Sequence, residues 1–211
     1  MKPWLERLLD ERAASVRSLP ADLDDEALVE VLAQPTKSDD AYYLLMQRGE
    51  KAQGAVRRGL THDDPLVRLK CVRIVDHFLA DDALPDLYAR LDDTSAAVRM
   101  QTLHTLSCEQ CKEGACRPDG ATVLTAALRI LEADPEPHVR AIAAEIVGAA
   151  VHHSTEAHDA IAKAHAEDES PAVRKKAGWY APGGAIFTKS VNTTKRSQGT
   201  RTSCECNASP T

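Results

Sequence analysis

The sequence predicts an all-α fold, an α–α superhelix of stacked two-helix units, on three observations. A short turn pattern returns four times along the chain. Apolar residues recur at helical spacing on both sides of each turn. Hydrophobic residues make up 43% of the 211 residues, yet aromatics only 4%, so the interior must be aliphatic. Ala and Leu let helices approach closely and favour helix, whereas a sheet draws more on aromatic and β-branched side chains.

The turn pattern reads Asp64-Pro65-Leu66-Val67-Arg68, then Ser95-Ala96-Ala97-Val98-Arg99 with Asp93 just ahead. It returns as Asp134-Pro135-Glu136-Pro137-His138-Val139-Arg140 and as Glu169-Ser170-Pro171-Ala172-Val173-Arg174. Its arginines are spaced 31, 41 and 34 residues apart, the periodicity of a repeat architecture. The Asp, Glu or Ser closes a tight turn and accepts hydrogen bonds from free amides at the next helix start. Pro is tolerated in a first turn, and an acid there faces the positive end of the helix. Val enters the core. Three positions after each Arg stands a small residue, Cys71, Thr102, Ala143 or Ala177. Seven positions after come Val75, Leu106 and Val147, on the same helical face as the small residue.

Taken in chain order, residues 4–19 predict an opening helix with Leu5, Leu8, Leu9 and Val16 on one face, capping the open end of the stack. Leu28, Val29, Val31 and Leu32 lie in one short helix and Tyr42 to Met46 in the next, parted by Pro35 and Ser38, a worn first repeat. Ahead of the later turns, Val56 with Leu60, Leu84 with Leu87 and Leu91, and Leu124 with Leu128 and Leu131 mark first helices. Gly178 is placed to end the last helix and Pro182 to stop it restarting. The body therefore spans residues 1–184, with the cap and worn repeat in 1–59 and the recognisable repeats in 60–184. Residues 185–211 form a basic tail, almost without apolar residues from Lys189 onward, whose composition predicts disorder.

Over residues 60–181 this turn, with its small and apolar followers, resembles the HEAT repeat. The resemblance implies a ladder of acids and arginines along the stack, here Asp64/Arg68, Asp93/Arg99, Asp134/Arg140 and Glu169/Arg174, with extra residues between acid and Arg in the second and third units. The interval from Cys108 to Gly120, with Cys108, Cys111 and Cys116, and the ending Lys175-Lys176-Ala177-Gly178-Trp179-Tyr180-Ala181-Pro182-Gly183-Gly184 are similar to those of bacterial HEAT-repeat proteins, a family to which no established activity attaches.

The 41-residue interval contains an insert from Cys108 to Gly120. His104 lies one helical turn before Cys108, and Cys111 and Cys116 follow. One imidazole and three thiolates make a tetrahedral zinc set, structural because four protein ligands leave no open position. Idle reduced thiols and redox use are the other two readings. Cys71 falls at the small core position. His152, His153, His158 and His165 read as residues of a solvated helix pair, and the pairs Asp81/Asp82 and Asp92/Asp93 as turn and cap residues.

The formal charge is -6, and the tail carries Lys189, Lys195, Arg196 and Arg201 against Glu205, which leaves about -9 on the body. Such a body speaks against phosphate-backbone binding. No stretch reaches the roughly 18 apolar residues of a spanning helix. The N-terminus has no apolar core with a cleavage site, so the expected compartment is the cytoplasm, with reduced cysteines.

The expected function is a non-catalytic scaffold that binds another protein. Arg73, His104, Glu145 and Trp179 each stand five positions after a repeat Arg and share a facing. Trp179 and Tyr180, beside Arg174, Lys175 and Lys176, form an aromatic anchor or a lid on the last repeat. The alternative is a HEAT-like enzyme, such as a glycosylase for alkylated DNA bases or a bilin lyase-like protein. No nucleophile elbow, phosphate loop or metalloprotease motif is present in the sequence.

Overall fold

The computed structural model describes residues 7, 9–12, 16, 19, 20, 22–108 and 118–189. Among them are ten α-helices packed against one another, and no strand. Of the expected opening helix, residues 7 and 9–12 are helical and Leu9 is buried; the remainder lies outside the described residues, apart from residues 16 and 19, which are not helical.

Helix α1 (Asp25–Val31) starts on Asp24, whose carboxylate accepts the Ala27 amide at 2.7 Å. Helix α2 (Ser38–Arg48) is followed by a 3-10 turn, Gly49–Ala52, and by α3 (Gln53–Gly59). Helix α4 (Pro65–Val75) opens on Asp64 with Pro65 in its first turn. The next first helix, α5 (Leu84–Ala89), is short and sits between the 3-10 turns Asp81–Ala83 and Arg90–Asp92. Then come α6 (Ala96–Ser107), α7 (Gly120–Ala133), α8 (Pro137–Ala149), α9 (Thr155–Glu167) and α10 (Pro171–Tyr180). Helices α4, α6, α8 and α10 pack each against the next as one layer, and α3, α5, α7 and α9 each pair with the second helix that follows.

The interior lies between the two layers. Val67, Val98, Val139 and Val173 are fully buried, and so are Cys71, Thr102, Ala143 and Ala177 four residues later. In α7 the buried face is Val123, Ala127, Ile130 and Leu131, while Leu124 and Leu128 are half-buried at its edge. Helical spacing alone does not separate these neighbouring stripes, because a 3.6-residue period puts both within one broad apolar face.

The acid–arginine ladder differs from its sequence reading in both register and partner. The acid stands six residues before the arginine in every ladder unit: Asp93 for Arg99, Asp134 for Arg140 and Asp168 for Arg174. Asp168, not Glu169, is the rung. Each arginine reaches forward to the acid of the next unit. Arg68 grips Asp93 through Nε and Nη2 at 2.7 Å each. Arg99 grips Asp134 at 2.7 and 2.8 Å, and Arg140 grips Asp168 at 2.8 and 2.9 Å. Within its own unit, each arginine's Nη1 donates to the carbonyl six residues back: His62 for Arg68, Asp93 for Arg99, Asp134 for Arg140 and Asp168 for Arg174. Each rung acid in turn accepts the amide two residues on, at Ser95, Glu136 and Ser170. In the first unit His62 takes the acid's place, its Nδ1 accepting the Asp64 amide at 2.9 Å. Asp64 is therefore a helix cap, accepting the Leu66 amide, and not a rung.

Gly178 does not end α10, which continues to Tyr180. A side chain there would meet the His165 ring at 2.8 Å, so this glycine serves the close approach of α9. Residues 185–189, assigned to the tail by composition, form a helical turn. Phe187 packs on the core with its ring 4.4 Å from that of His152. Residues 190–211 lie outside the described residues.

Candidate functional site

The four residues five positions after the ladder arginines lie on the exposed side of the second-helix layer. Arg73, His104 and Trp179 are exposed and Glu145 is half-buried. Short polar links tie this face together across helices. Lys70 on α4 donates to Asp39 on α2 at 2.6 Å and lies 5.5 Å from the Tyr42 ring. Arg73 Nε donates to Gln101 on α6 at 3.3 Å. His104 Nε2 lies 3.6 Å from Asp76 at the end of α4. Lys176 on α10 pairs with Glu145 on α8, and its ammonium sits 4.8 Å from the centre of the Trp179 ring. Trp179, 39% exposed, is the exposed large hydrophobic among the described residues. Its partial cover by a cation is the geometry of a cation–π contact.

The Lys70 hydrogen bond and charge hold the Asp39 carboxyl below its ordinary range. Burial pushes the Tyr42 phenol up, against the opposing pull of Arg73. Burial also pulls the His77 imidazole down, so it favours the neutral form beside Asp76. Cys71 is fully buried and its thiol is pushed up to about 12 by desolvation, which makes it a core residue and not a nucleophile.

Between α6 and α8 lies a cleft of about 530 Å³. Its apolar wall includes Val123, Leu124, Ile142 and Ile146, and its polar lining includes His104, Cys108, Glu145 and His153. It opens where the cysteine-rich insert leaves α6. Cys108 caps that helix, its amide donating to the His104 carbonyl at 2.8 Å. Two of the four expected zinc ligands, His104 and Cys108, thus stand one turn apart at the mouth of the cleft; Cys111 and Cys116 lie outside the described residues. Among the described residues no three His, Cys, Asp or Glu side chains converge as a metal set.

The basic trio of α10 is divided. Lys176 shares the face of Trp179, Lys175 is exposed, and Arg174 turns to the loop edge, where its Nη1 donates to Asp168 and Glu169 carbonyls. Tyr180 packs against Gly148, whose missing side chain leaves room for its ring. The clustered histidines also separate. His152 stacks on Phe187, His158 contacts Asp159, and His165 Nδ1 lies 3.0 Å from the Arg174 carbonyl. Asp82 and Asp86 bind Arg57, and Asp92 binds Arg129 at 2.7 Å.

Sequence reasoning passed over Asp76, His77 and the Asp39–Lys70–Tyr42 group. Asp76 stands eight residues after its arginine, where the other units have Ser107, Gly148 and Pro182, so no repeat signal marks it. The register of the rung acids did carry a signal, the constant six-residue step back from each arginine.

No protein-family model matches the chain, and no match was found among curated proteins. Among the described residues no helix is long and apolar enough to cross a membrane.

Proposed function

We propose that the protein is a non-catalytic interaction scaffold of the HEAT-repeat type, its units stacked as a solenoid and its second-helix face offered to a soluble cytoplasmic protein. The observation that supports this reading best is the register of that face. Arg73, His104, Glu145 and Trp179 occupy the same position relative to the repeat arginine on the four second helices α4, α6, α8 and α10, and exposed aromatic and arginine side chains are the residue types that anchor protein interfaces. Pre-set neighbours, Gln101 for Arg73 and Lys176 for Trp179, reduce the ordering cost of binding.

Site-specific photo-crosslinking in the native host tests the scaffold. A crosslinker at Arg73 or at Trp179 captures the same protein, and one at exposed Thr125 on α7 does not. Steep, salt-dependent binding of duplex DNA would instead favour the glycosylase reading, which calls for a basic aromatic-lined groove.

The zinc reading belongs to this proposal as a structural element. His104 and Cys108 would be joined by Cys111 and Cys116, and the Asp76 carboxylate beside His104 Nε2 is the kind of outer partner that orients a ligating imidazole through its other nitrogen. Elemental analysis of protein purified without added metal decides it. About one equivalent of zinc supports the site, and less than about a tenth removes it, because intact four-ligand sites hold zinc tightly.

A further inference from the structure

We infer that the loop edge of α10 is a docking surface for a carboxylate on a helix-starting turn of a partner protein, with Arg174 as its receptor. The inference is independent of the second-helix face, which Trp179 reports.

The chain contains three worked examples of the contact. Arg68, Arg99 and Arg140 each fix one edge of the guanidinium on the carbonyl six residues back. Each then offers Nε and Nη2 as a fork to one aspartate, at 2.7 to 2.9 Å. That aspartate always stands two residues before a helix N-cap: Asp93 before Ser95, Asp134 before Glu136 and Asp168 before Ser170. It also accepts the N-cap amide, so the carboxylate meets the fork already oriented.

Arg174 holds the same posture. Its Nη1 donates to the Asp168 carbonyl at 2.6 Å and to the Glu169 carbonyl at 3.0 Å. Among the described residues no carboxylate meets its Nε or Nη2. The neighbouring Glu169 carboxylate lies instead 3.3 Å from Arg140 Nη2. The planar fork is thus pre-oriented for bidentate carboxylate recognition, a role in which Lys does not substitute for Arg. Exposed Lys175, Pro171 and Ala172 flank it. In ladder register a second copy would offer the turn before α2, residues 33–37, which carries no acid and ends in Lys37; its Asp22, two residues before the Asp24 N-cap, stands at the start of a first helix and not of a second.

The test uses the full chain labelled with nitrogen-15 and the arginine Nε–H resonances. The probe is an acetylated peptide with the sequence of residues 166–173, Ala-Glu-Asp-Glu-Ser-Pro-Ala-Val. Its addition shifts the Arg174 resonance saturably and leaves those of Arg68, Arg99 and Arg140 in place. Asn in place of the peptide's Asp weakens binding about ten-fold or more, the scale of a lost charge-assisted pair. Arg174→Lys, which keeps the charge and removes the fork, weakens it likewise, while Trp179 fluorescence stays unchanged. Four results would overturn the inference. The first is no Arg174 shift at about 10 mM peptide, a concentration well above the millimolar range of a single weak contact. The second is an equal response to the Asn peptide. The third is an Arg174 resonance that already matches the other three without peptide, which would put an acid of this chain on the fork. The fourth is self-association abolished by Arg174→Gln, which would make the occupant a second copy.

Discussion

The N-terminal unit and the units from α4 onward solve the same joining problem with different chemistry. Behind Arg68, each unit is tied to the next by a bidentate ion pair whose arginine and acid are almost completely buried. In the N-terminal unit the buried Ser38 hydroxyl donates to the Leu32 carbonyl, again six residues back, at 2.6 Å. It holds the turn closed but has no second edge with which to reach forward. That unit shares one apolar core with α4, to which Leu28, Leu32, Leu45 and Val56 belong, and is tied to it by the Lys70–Asp39 bridge, whose acid is exposed. The ladder therefore fixes position through directed bonds, which tolerate inserts: the rung stands 25, 35 and 28 positions after the grip. A junction made by packing depends on shape alone.

The largest contrast comes from cutting a rung. Arg99→Ala leaves the buried Asp134 carboxylate unpaired and costs about 3–5 kcal/mol, read as a lowered denaturant midpoint. The double change Arg99→Met with Asp134→Leu costs much less, since replacing both charges by apolar groups removes the unpaired ion. Equal losses in the single and double variants would show that the ladder is not an energetic unit.

A smaller loss is expected at the seam between the two regions. At Gly59 a side chain would lie 2.5 Å from Cys71 Sγ and 2.9 Å from Val29 Cγ1, so Gly59→Ala costs about 1–3 kcal/mol by overpacking. Gly120, with nothing within 4 Å of such an atom, is the control, and Gly120→Ala is neutral or slightly stabilising in the same unfolding measurement. Ser38→Ala is expected to cost about 1 kcal/mol, the worth of one hydrogen bond, well short of the loss at Arg99.

Acid gives the finest comparison. Burial pushes Asp93 and Asp168 up, but the hydrogen bonds of Arg68 and Arg140, the Ser95 and Ser170 amides and the nearby arginine charges outweigh it, so both stay below the usual carboxylate range. Stability from such depressed acids is fully present above the unfolded value of about 4 and is lost as pH falls through the folded value. Thermal melts between pH 5 and pH 2.5 should show this loss. It should shrink in an Arg68→Met, Asp93→Leu variant, and an unchanged acid slope there would place the titration elsewhere.

Much of the helical architecture was legible in the sequence because its cause is local. The turn residues, the Val that enters the core and the small and apolar followers act through helix starts and helical periodicity, and buried Val67, Val98, Val139 and Val173 sit where that periodicity places them. The common facing of Arg73, His104, Glu145 and Trp179 follows from the same count. What each side chain meets across a helix boundary was decided only in three dimensions. Arg68 passes over Asp64, four residues away, for Asp93, 25 residues on. Gly178 makes room for His165 rather than ending α10, and His104 finds Asp76 on the preceding second helix. Such pairings depend on how far one helix slides and turns against its neighbour, a distance set by the summed packing of both layers and carried by no single stretch of chain.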